Sequence, residues 1–304
     1  MDIFPIQVQA NILYTIYQHS RITGQKSRLL KKHMAHFDTI TGVIARRVML
    51  NYRIDQDVAR EILPSSFSPQ LFHRYAIGGL CLMQFADIEG NFLPVWMGPN
   101  TDAVSYRIAV TWEEDGEMKS GHYIPRRESN SFLNRNLGDK AFTGIVSRSK
   151  FETTVADKVI SMKVVGIDDR SEIEFLGRIE SEMPNNSVFS TLEEVSEFLR
   201  KDSVGYSPAL ENGYYHGLET TGLYHGIEID PTEWVVEPMS IGIAESTFFD
   251  DRKIFPPGSI EVDSALVMQN VVHSWNSRGP ISAGCDPRKF CNLQGFKGLT
   301  TSNV

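Results

Sequence analysis

The sequence predicts a mostly β protein in which antiparallel strands close into a barrel or pack as a sandwich. Short runs of β-branched and aromatic residues follow one another closely from Thr41 to Trp275, separated by turn residues. Many strands at such spacing are typical of these two architectures. With 304 residues and 41% hydrophobic content, the chain can also bury a sizeable core in one main domain.

Residues 1–40 predict a helical arm that precedes the strands. Ile6, Ala10, Leu13 and Ile16 recur at helical spacing, and the segment SRLLKKHMAHF continues as a basic stretch. Because this basic cluster is short, we favour an arm that covers the barrel or a partner subunit over one that binds a membrane. We therefore expect the arm to contribute to a homodimer.

Residues 41–277 form the predicted main domain, in which apolar and polar residues alternate with a period of two. In chain order, the runs that predict strands are VIARRVMLNYRI, YAIGGLCLMQFADI, DAVSYRIAVTWEE, KSGHYIPRR, IVSRSKFETTVAD, KVISMKVVGIDD, EIEFLGRIESEM, GIEIDPTEWVVEPMSIGIAESTFF and SIEVDSALVMQNVVHSW.

Two short helices interrupt the predicted strands. The segment DQDVAREILP carries acidic residues at its start and stops at Pro64, which cannot continue a helix. In STLEEVSEFLRKD, Thr191 is followed three residues later by Glu194, which is the pattern of a capping box. Residues 278–304 are rich in Gly, Ser, Pro and Asn and predict an extended C-terminal tail.

Charge and cysteine content disfavour several classes of protein. The net charge is −8, and the 30 lysines and arginines are scattered rather than clustered, so nothing predicts binding to nucleic acid. No apolar run approaches the roughly 20 residues that span a bilayer, and we find no export signal. Three cysteines, Cys81, Cys285 and Cys291, make a poor disulfide framework. We therefore expect a cytoplasmic protein without a membrane partner.

Polar side chains are densest in HYIPRRESNSFLNRNLGDKAFTGI, which begins at His122. Pro125 borders a strand, so Arg126 and Arg127 are expected at a strand end near the mouth of the barrel. Because adjacent side chains on an extended segment point opposite ways, one arginine should face a cavity and the other should pair with an acid. An arginine in a cavity binds a carboxylate through two parallel hydrogen bonds. The substrate-binding residues predicted here are Tyr123, Arg126, Arg127, Glu128, Asn134 and Arg135.

Proton transfer is predicted at His122, Glu245 and His273. A histidine that points into a cavity is the natural acid or base at neutral pH, although a lone strand histidine is more often structural. Glu245 lies in the otherwise apolar run GIAESTFF. If its side chain faces inward, it either holds a proton and acts as an acid or pairs with Arg126 or Arg127, and pairing is favoured.

No metal and no cofactor are predicted. His33 and His36 are spaced i, i+3, but no third ligand lies nearby, and a catalytic zinc needs three. The sequence has no Walker loop and no dinucleotide-binding fingerprint.

The segment NYRIDQDVAREILPSSFSP resembles the opening of the acetoacetate decarboxylase-like superfamily. Together, IARRVMLNYRID, YIPRRESNS, VGYSP and ESTFFDDRKIFPPGSIEVDSALVMQNVVHSW resemble a bacterial branch of that superfamily that is classed as a domain of unknown function. The resemblance covers residues 42–275. It implies a large, twisted antiparallel β-barrel or cone with an internal cavity for a small ligand.

The resemblance does not carry over the decarboxylase's nucleophile. In that enzyme a lysine pair follows an aromatic-proline step, and one lysine forms a Schiff base with the keto acid. Here the aromatic is Phe142, the proline position is Thr143, and the lysine pair falls on Gly144 and Ile145. Lys140 lies in LGDKAF and is expected to be a solvated loop residue.

Three further positions follow from the resemblance. The two glutamates that support the lysine fall near Cys81 and Ala103, neither of which is expected to act as an acid in the same role. The arginine on the first strand has its counterpart at Arg46 or Arg47, and we include Arg46 among the predicted substrate-binding residues.

Taken together, the sequence favours an enzyme that acts on a small carboxylate- or carbonyl-bearing metabolite. The expected chemistry is acid–base chemistry of the lyase or isomerase type without a Schiff base. One alternative is a non-catalytic barrel that binds a small molecule. A second alternative is a decarboxylase with a displaced nucleophile at Lys140.

Overall fold

The computed structural model describes residues 39–90, 100–130, 145–201, 204–210 and 220–282. These residues form one sheet of 14 strands and two short helices, which confirms the mostly β fold. The predicted arm lies outside the described residues, as does the predicted tail beyond residue 282. The three-part division of the chain stays a prediction.

The strands of the described residues have these bounds: β1 Thr39–Asp55, β2 Ser68–Pro69, β3 Leu71–Phe72, β4 Tyr75–Gly90, β5 Asn100–Glu114, β6 Glu117–Tyr123, β7 Arg126–Ser129, β8 Ile145–Ala156, β9 Val159–Gly166, β10 Glu172–Ile179, β11 Val204–Leu210, β12 Thr220–Pro231, β13 Glu237–Ser246 and β14 Ile260–Ser282. The helices are α1, Gln56–Ile62, and α2, Leu192–Arg200.

Four long antiparallel strands, in the order β5-β4-β1-β14, form a central wall. The outer edge of β5 pairs first with β7 and then with β6, and the outer edge of β14 pairs first with β13 and then with β12. Strands β6, β11 and β12 connect the wall's two edges, and so do β7, β8, β9, β10 and β13. Backbone hydrogen bonds therefore close two rings that share the wall, which confirms the expectation of a closed sheet. Two of the pairings, β6 with β11 and β7 with β8, are parallel.

Both faces of the wall are buried, because side chains alternate between two separate hydrophobic clusters. Core 1 includes Val48, Leu50, Leu80, Leu82, Val104, Phe175, Ala265 and Val267. Core 2 includes Ile44, Met49, Cys81, Met83, Phe85, Leu199, Leu266 and Trp275. The cavity described below lies on the core 2 side.

The two predicted helices are confirmed, and both are capped as the sequence indicates. Asp55 accepts hydrogen bonds from the backbone N–H groups of Asp57 and Val58 at the start of α1. Thr191 Oγ1 accepts from the N–H of Glu194 at 3.2 Å at the start of α2. Neither helix has the length and apolar character needed to cross a bilayer, within the part of the chain that the structure describes.

The structure departs from the predicted strands in several places, including the two-residue strands β2 and β3, which were not predicted. Pro125 separates β6 from β7, so the predicted strand KSGHYIPRR is divided, and Arg126–Ser129 form a strand of their own instead of following a strand end. The single predicted run at residues 226–249 is divided between β12 and β13. Strand β11 was not predicted, because Gly205 and Pro208 are residues that disfavour strands.

Candidate active site

A cavity of about 170 Å³ lies on the core 2 face of the wall, beside helix α2. Its lining is mainly apolar but includes cationic side chains, hydroxyl side chains and two acidic residues, Glu128 and Asp230. The residues that line it include Arg47 on β1, Cys81, Met83 and Phe85 on β4, Ala103, Ser105 and Arg107 on β5, His122 on β6, Arg127 and Ser129 on β7, Leu199 and Arg200 on α2, Ile227 and Ile229 on β12, and Trp275 on β14.

Arg107 is the most deeply buried arginine of the cavity lining, with an exposed fraction of 3%. It lies opposite Gly79 on β4, and the absence of a side chain there leaves room for its guanidinium. One Nη donates to Asn51 Oδ1, and the other lies 3.3 Å from His122 Nε2. Burial lowers the pKa of Arg107, although it remains a cation at neutral pH.

Arg47 and Cys81 form a second contact on the same wall. Arg47 Nη2 lies 3.6 Å from Cys81 Sγ across the pairing of β1 with β4. Burial alone would raise the pKa of the thiol, but the charges of Arg47 and Arg107 outweigh burial and lower it below its usual value. The cavity therefore contains a sulfur that is biased toward its thiolate form.

His122 lies on β6, where alternation directs it into the cavity. Because a guanidinium can only donate hydrogen bonds, Nε2 of His122 must accept the one from Arg107 and carry no proton itself. The imidazole can therefore take up a proton at Nε2 if Arg107 moves away.

Arg127 and Arg126 lie on opposite faces of β7, as alternation predicts. Arg127 lines the cavity and donates to Ser207 Oγ at 2.6 Å, and burial lowers its pKa to about 10. Arg126 faces the other way and pairs with Glu128, and with Asp169 at 2.7 Å. Substrate binding by Arg127 stays a prediction, whereas Arg126 is committed to carboxylates of the protein itself.

The cluster around Arg126 is a buried polar network behind the cavity. Glu128 has no exposed surface, and it accepts hydrogen bonds from Arg126, from Ser149 Oγ and from Tyr106 Oη. Burial alone would lower the pKa of Arg126, but the two carboxylates raise it. Glu128 touches the cavity boundary, yet its carboxylate is engaged in this network, so its predicted contact with substrate is not supported.

Two other predicted binding residues lie away from the cavity. Arg46 is 8% exposed and lies beside Gln84 and the charge of Asp102, while its neighbour Arg47 takes the cavity position. A β-bulge between Ile44 and Arg46 shifts the alternation of β1, so that Arg47, the other arginine to which the resemblance pointed, reaches the cavity. Tyr123 packs in a third apolar cluster with its ring 5.7 Å from that of Phe67.

The remaining predicted catalytic residues are also outside the cavity lining. His273 is 1% exposed and packs behind it, against Phe85 and Trp275, with ring centroids 5.5 and 4.2 Å apart. Burial, followed by the charge of Arg47, lowers its pKa to about 4. Glu245 is exposed on β13, so the expectation of an inward carboxylate paired with Arg126 or Arg127 is wrong.

Several predicted positions lie outside the described residues. These are Asn134, Arg135 and Lys140, together with Phe142, Thr143 and Gly144. Among the described residues that line the cavity, none is a lysine. Within the same ranges, no group of three His, Cys, Asp or Glu side chains could hold a metal ion.

Arg107 was missed by sequence reasoning, although a signal for it exists. In DAVSYRIAV, the residues Ala103, Ser105 and Arg107 alternate with large apolar ones, so a charged residue shares a buried face with small residues. An arginine in such a strand needs space and a counter-charge, which is typical of a ligand cavity. Cys81 and Ala103, which correspond by resemblance to two glutamates, both line the cavity.

Comparisons with known proteins bear on this arrangement of strands. No family model and no curated protein sequence matches the chain. Among solved structures, the enduracididine biosynthesis enzyme MppR in complex with pyruvate aligns with a TM-score of 0.50 and 12% identity, over 80% of this chain and 88% of the other. The chain has the acetoacetate decarboxylase-like fold.

Two further solved structures with this fold align with the chain. An acetoacetate decarboxylase-like enzyme from Sphingomonas wittichii RW1 aligns with a TM-score of 0.50 and 9% identity, over 80% of this chain and 92% of that one. Acetoacetate decarboxylase from Legionella pneumophila aligns with a TM-score of 0.50 and 13% identity, over 79% and 87%. The alignments show a shared fold alone, because the identities are between 9% and 13%, and the chemistry must be argued from this chain's own residues.

Proposed function

We propose that this protein is an enzyme that binds a small carboxylate-bearing metabolite in the cavity and acts on its carbonyl group by acid–base chemistry, without a Schiff base. The observation that carries the proposal is the pair Arg47 and Arg107. Both line the cavity, and among the described residues no acidic side chain forms an ion pair with either. An anionic ligand would supply the missing counter-charge.

The geometry suits a carboxylate better than a neutral ligand. A guanidinium presents two parallel donors that match the two oxygens of a carboxylate, and this pairing is stronger in a cavity than in water. Two neutral groups, Asn51 and His122, lie within hydrogen-bond distance of the Arg107 guanidinium, and a carboxylate can displace them. Arg127 lies opposite Ser105, two residues from Arg107 along β5, and lines the same cavity.

Proton transfer is assigned to His122. A carboxylate accepts hydrogen bonds from a guanidinium more strongly than a neutral imidazole does, so ligand binding would draw Arg107 away from Nε2. The released nitrogen would then be a base inside the cavity. Ligand binding and activation of the base are therefore one event in this proposal.

The first experiment measures binding of pyruvate by calorimetry. Pyruvate is a small 2-oxo acid, it is the compound present in the MppR complex, and it suits a cavity of this size. Arg47→Lys and Arg127→Lys should each weaken binding about tenfold, because the charge is kept but the two parallel donors are lost. Arg148→Lys is the matched control, because Arg148 is partly exposed and pairs with Asp168 outside the cavity. Normal binding by both cavity variants would refute the proposal.

The second experiment separates an enzyme from a binding protein. In deuterated water, acid–base chemistry at the carbonyl should exchange the methyl protons of pyruvate, which proton NMR detects as loss of the methyl signal. His122→Gln should abolish the exchange while leaving pyruvate binding measurable. Binding without any exchange in the wild-type protein would favour the alternative of a non-catalytic small-molecule-binding barrel.

The third experiment tests the decarboxylase alternative. Treatment with acetoacetate and borohydride should leave the protein mass unchanged, because no described residue of the cavity lining is a lysine. A stoichiometric adduct that disappears in Lys140→Ala would instead establish a displaced nucleophile.

A further inference from the structure

Cys81 lies among cationic side chains in a way that the acid–base proposal does not use. Its side chain lines the cavity on β4, and Arg47 Nη2 lies 3.6 Å from its sulfur. Arg107, also in the lining, is 3% exposed, and its Nε has no hydrogen-bond acceptor among the described residues. A buried thiol and two cations therefore face the space in which an anionic ligand would bind.

This arrangement favours nucleophilic chemistry at sulfur. The thiolate is the reactive form of cysteine, and neighbouring cations stabilise it. The same cations would hold the carboxylate of a ligand beside the sulfur, and in a 2-oxo acid the electrophilic carbon is bonded directly to that carboxylate. Holding nucleophile and electrophile together in this way removes much of the entropic cost of their reaction.

We propose that Cys81 is a nucleophile of this cavity and that its sulfur adds reversibly to the carbonyl carbon of a bound carboxylate-bearing carbonyl compound. The inference rests on the proposed function, which supplies the ligand. The sulfur's electron pair forms the C–S bond, and the π pair of the carbonyl moves to oxygen. The oxygen then takes up the proton that the thiol released on ionisation, giving a hemithioketal with nothing else consumed. The charge of Arg107 lies where it would stabilise the developing oxyanion.

The reactivity of the thiol is tested with a matched pair of reagents, anionic iodoacetate and neutral iodoacetamide. Label on the peptide that contains Cys81 is measured by mass spectrometry, separately from Cys285 and Cys291. In the native protein, iodoacetate should react with Cys81 at least about tenfold faster than iodoacetamide, because the cavity concentrates anions. The preference should vanish in urea, and pyruvate should slow the native reaction. An equal or slower reaction with iodoacetate would overturn the inference.

The addition itself is tested with pyruvate labelled with ¹³C at its carbonyl carbon. In the wild-type protein the bound carbonyl resonance should move from the ketone range to that of a tetrahedral carbon, and Cys81→Ala should leave it in the ketone range. If both proteins bind pyruvate equally by calorimetry and the resonance never moves, the nucleophile is wrong while anion binding stands. If the wild-type protein binds no pyruvate but keeps its preference for iodoacetate, the proposed ligand is wrong and the reactive thiol stands.

Discussion

Acidification should destabilise the protein through His273. The side chain is 1% exposed and packs against the rings of Phe85 and Trp275. Burial, followed by the positive charge of Arg47, lowers its pKa to about 4 from the usual value of 6.5. Between these two values the folded protein keeps His273 neutral, whereas the unfolded chain takes up a proton.

The size of the effect follows from the two pKa values. A base whose pKa is depressed by folding contributes its full stability above about pH 6.5, and this stability is lost as the pH falls toward 4. Each pH unit in this interval costs about 1.4 kcal/mol. Lowering the pH from about 7 to about 5 should therefore cost roughly 2 kcal/mol, and crossing the whole interval should cost roughly 3.4 kcal/mol.

The assay is urea unfolding of wild type, His273→Phe and His73→Asn at several pH values. Phenylalanine keeps an aromatic ring between its two neighbours but cannot titrate. His73 is exposed with a φ of 53°, a conformation that asparagine tolerates, so its substitution is a matched control. Between about pH 7 and pH 5, the wild-type protein should lose roughly 2 kcal/mol more than His273→Phe, and His73→Asn should follow wild type.

The reasoning fails if His273→Phe and wild type lose stability equally over this interval, because His273 would then take up its proton in the folded protein as readily as in the unfolded chain. It also fails if the control variant removes as much pH dependence as the buried one, because the loss of stability would then not be specific to His273.

Two further predictions concern stability. Glu128→Gln should lower the free energy of unfolding by about 2–3 kcal/mol in urea, because Arg126 loses the buried one of its two carboxylate partners. Glu245→Gln, at an exposed carboxylate, should change the free energy of unfolding by less than about 0.5 kcal/mol. Gly79→Ala should cost more than about 3 kcal/mol in thermal unfolding, since its Cβ would lie 2.2 Å from a carbonyl oxygen of β1. Gly242→Ala is the control, since its Cβ would meet nothing closer than 3.4 Å. Equal effects within either pair would contradict the corresponding explanation.

Much of the fold was predictable because its signals are local. Alternation of apolar residues gave the long strands, and the capping pattern of Thr191 and Glu194 gave helix α2. Alternation also predicted that Arg126 and Arg127 would point to opposite sides of one strand, with one of them paired to an acid. Strand β11 escaped prediction, because its pairing on both sides outweighs the local preferences of glycine and proline.

The candidate site was less predictable, because its members depend on register and on tertiary contacts. A single bulge decides that Arg47, and not Arg46, reaches the cavity, and bulges have no reliable sequence signal. Glu245 looked buried because its neighbours are apolar, yet the faces of β13 are only partly covered. Arg107 gains its significance from Gly79 and Cys81, which are distant in sequence and meet it only across the sheet.

The wall shared by the two rings has a consequence for how such a protein can change over generations. Neighbouring positions such as Val48 and Met49, or Leu80 and Cys81, belong to different interiors although they are adjacent in the chain. Substitutions in the lining can therefore accumulate while every second residue of the same strands continues to fill core 1. New ligand preferences could arise by mutation in this scaffold without first dismantling the interior that keeps it folded.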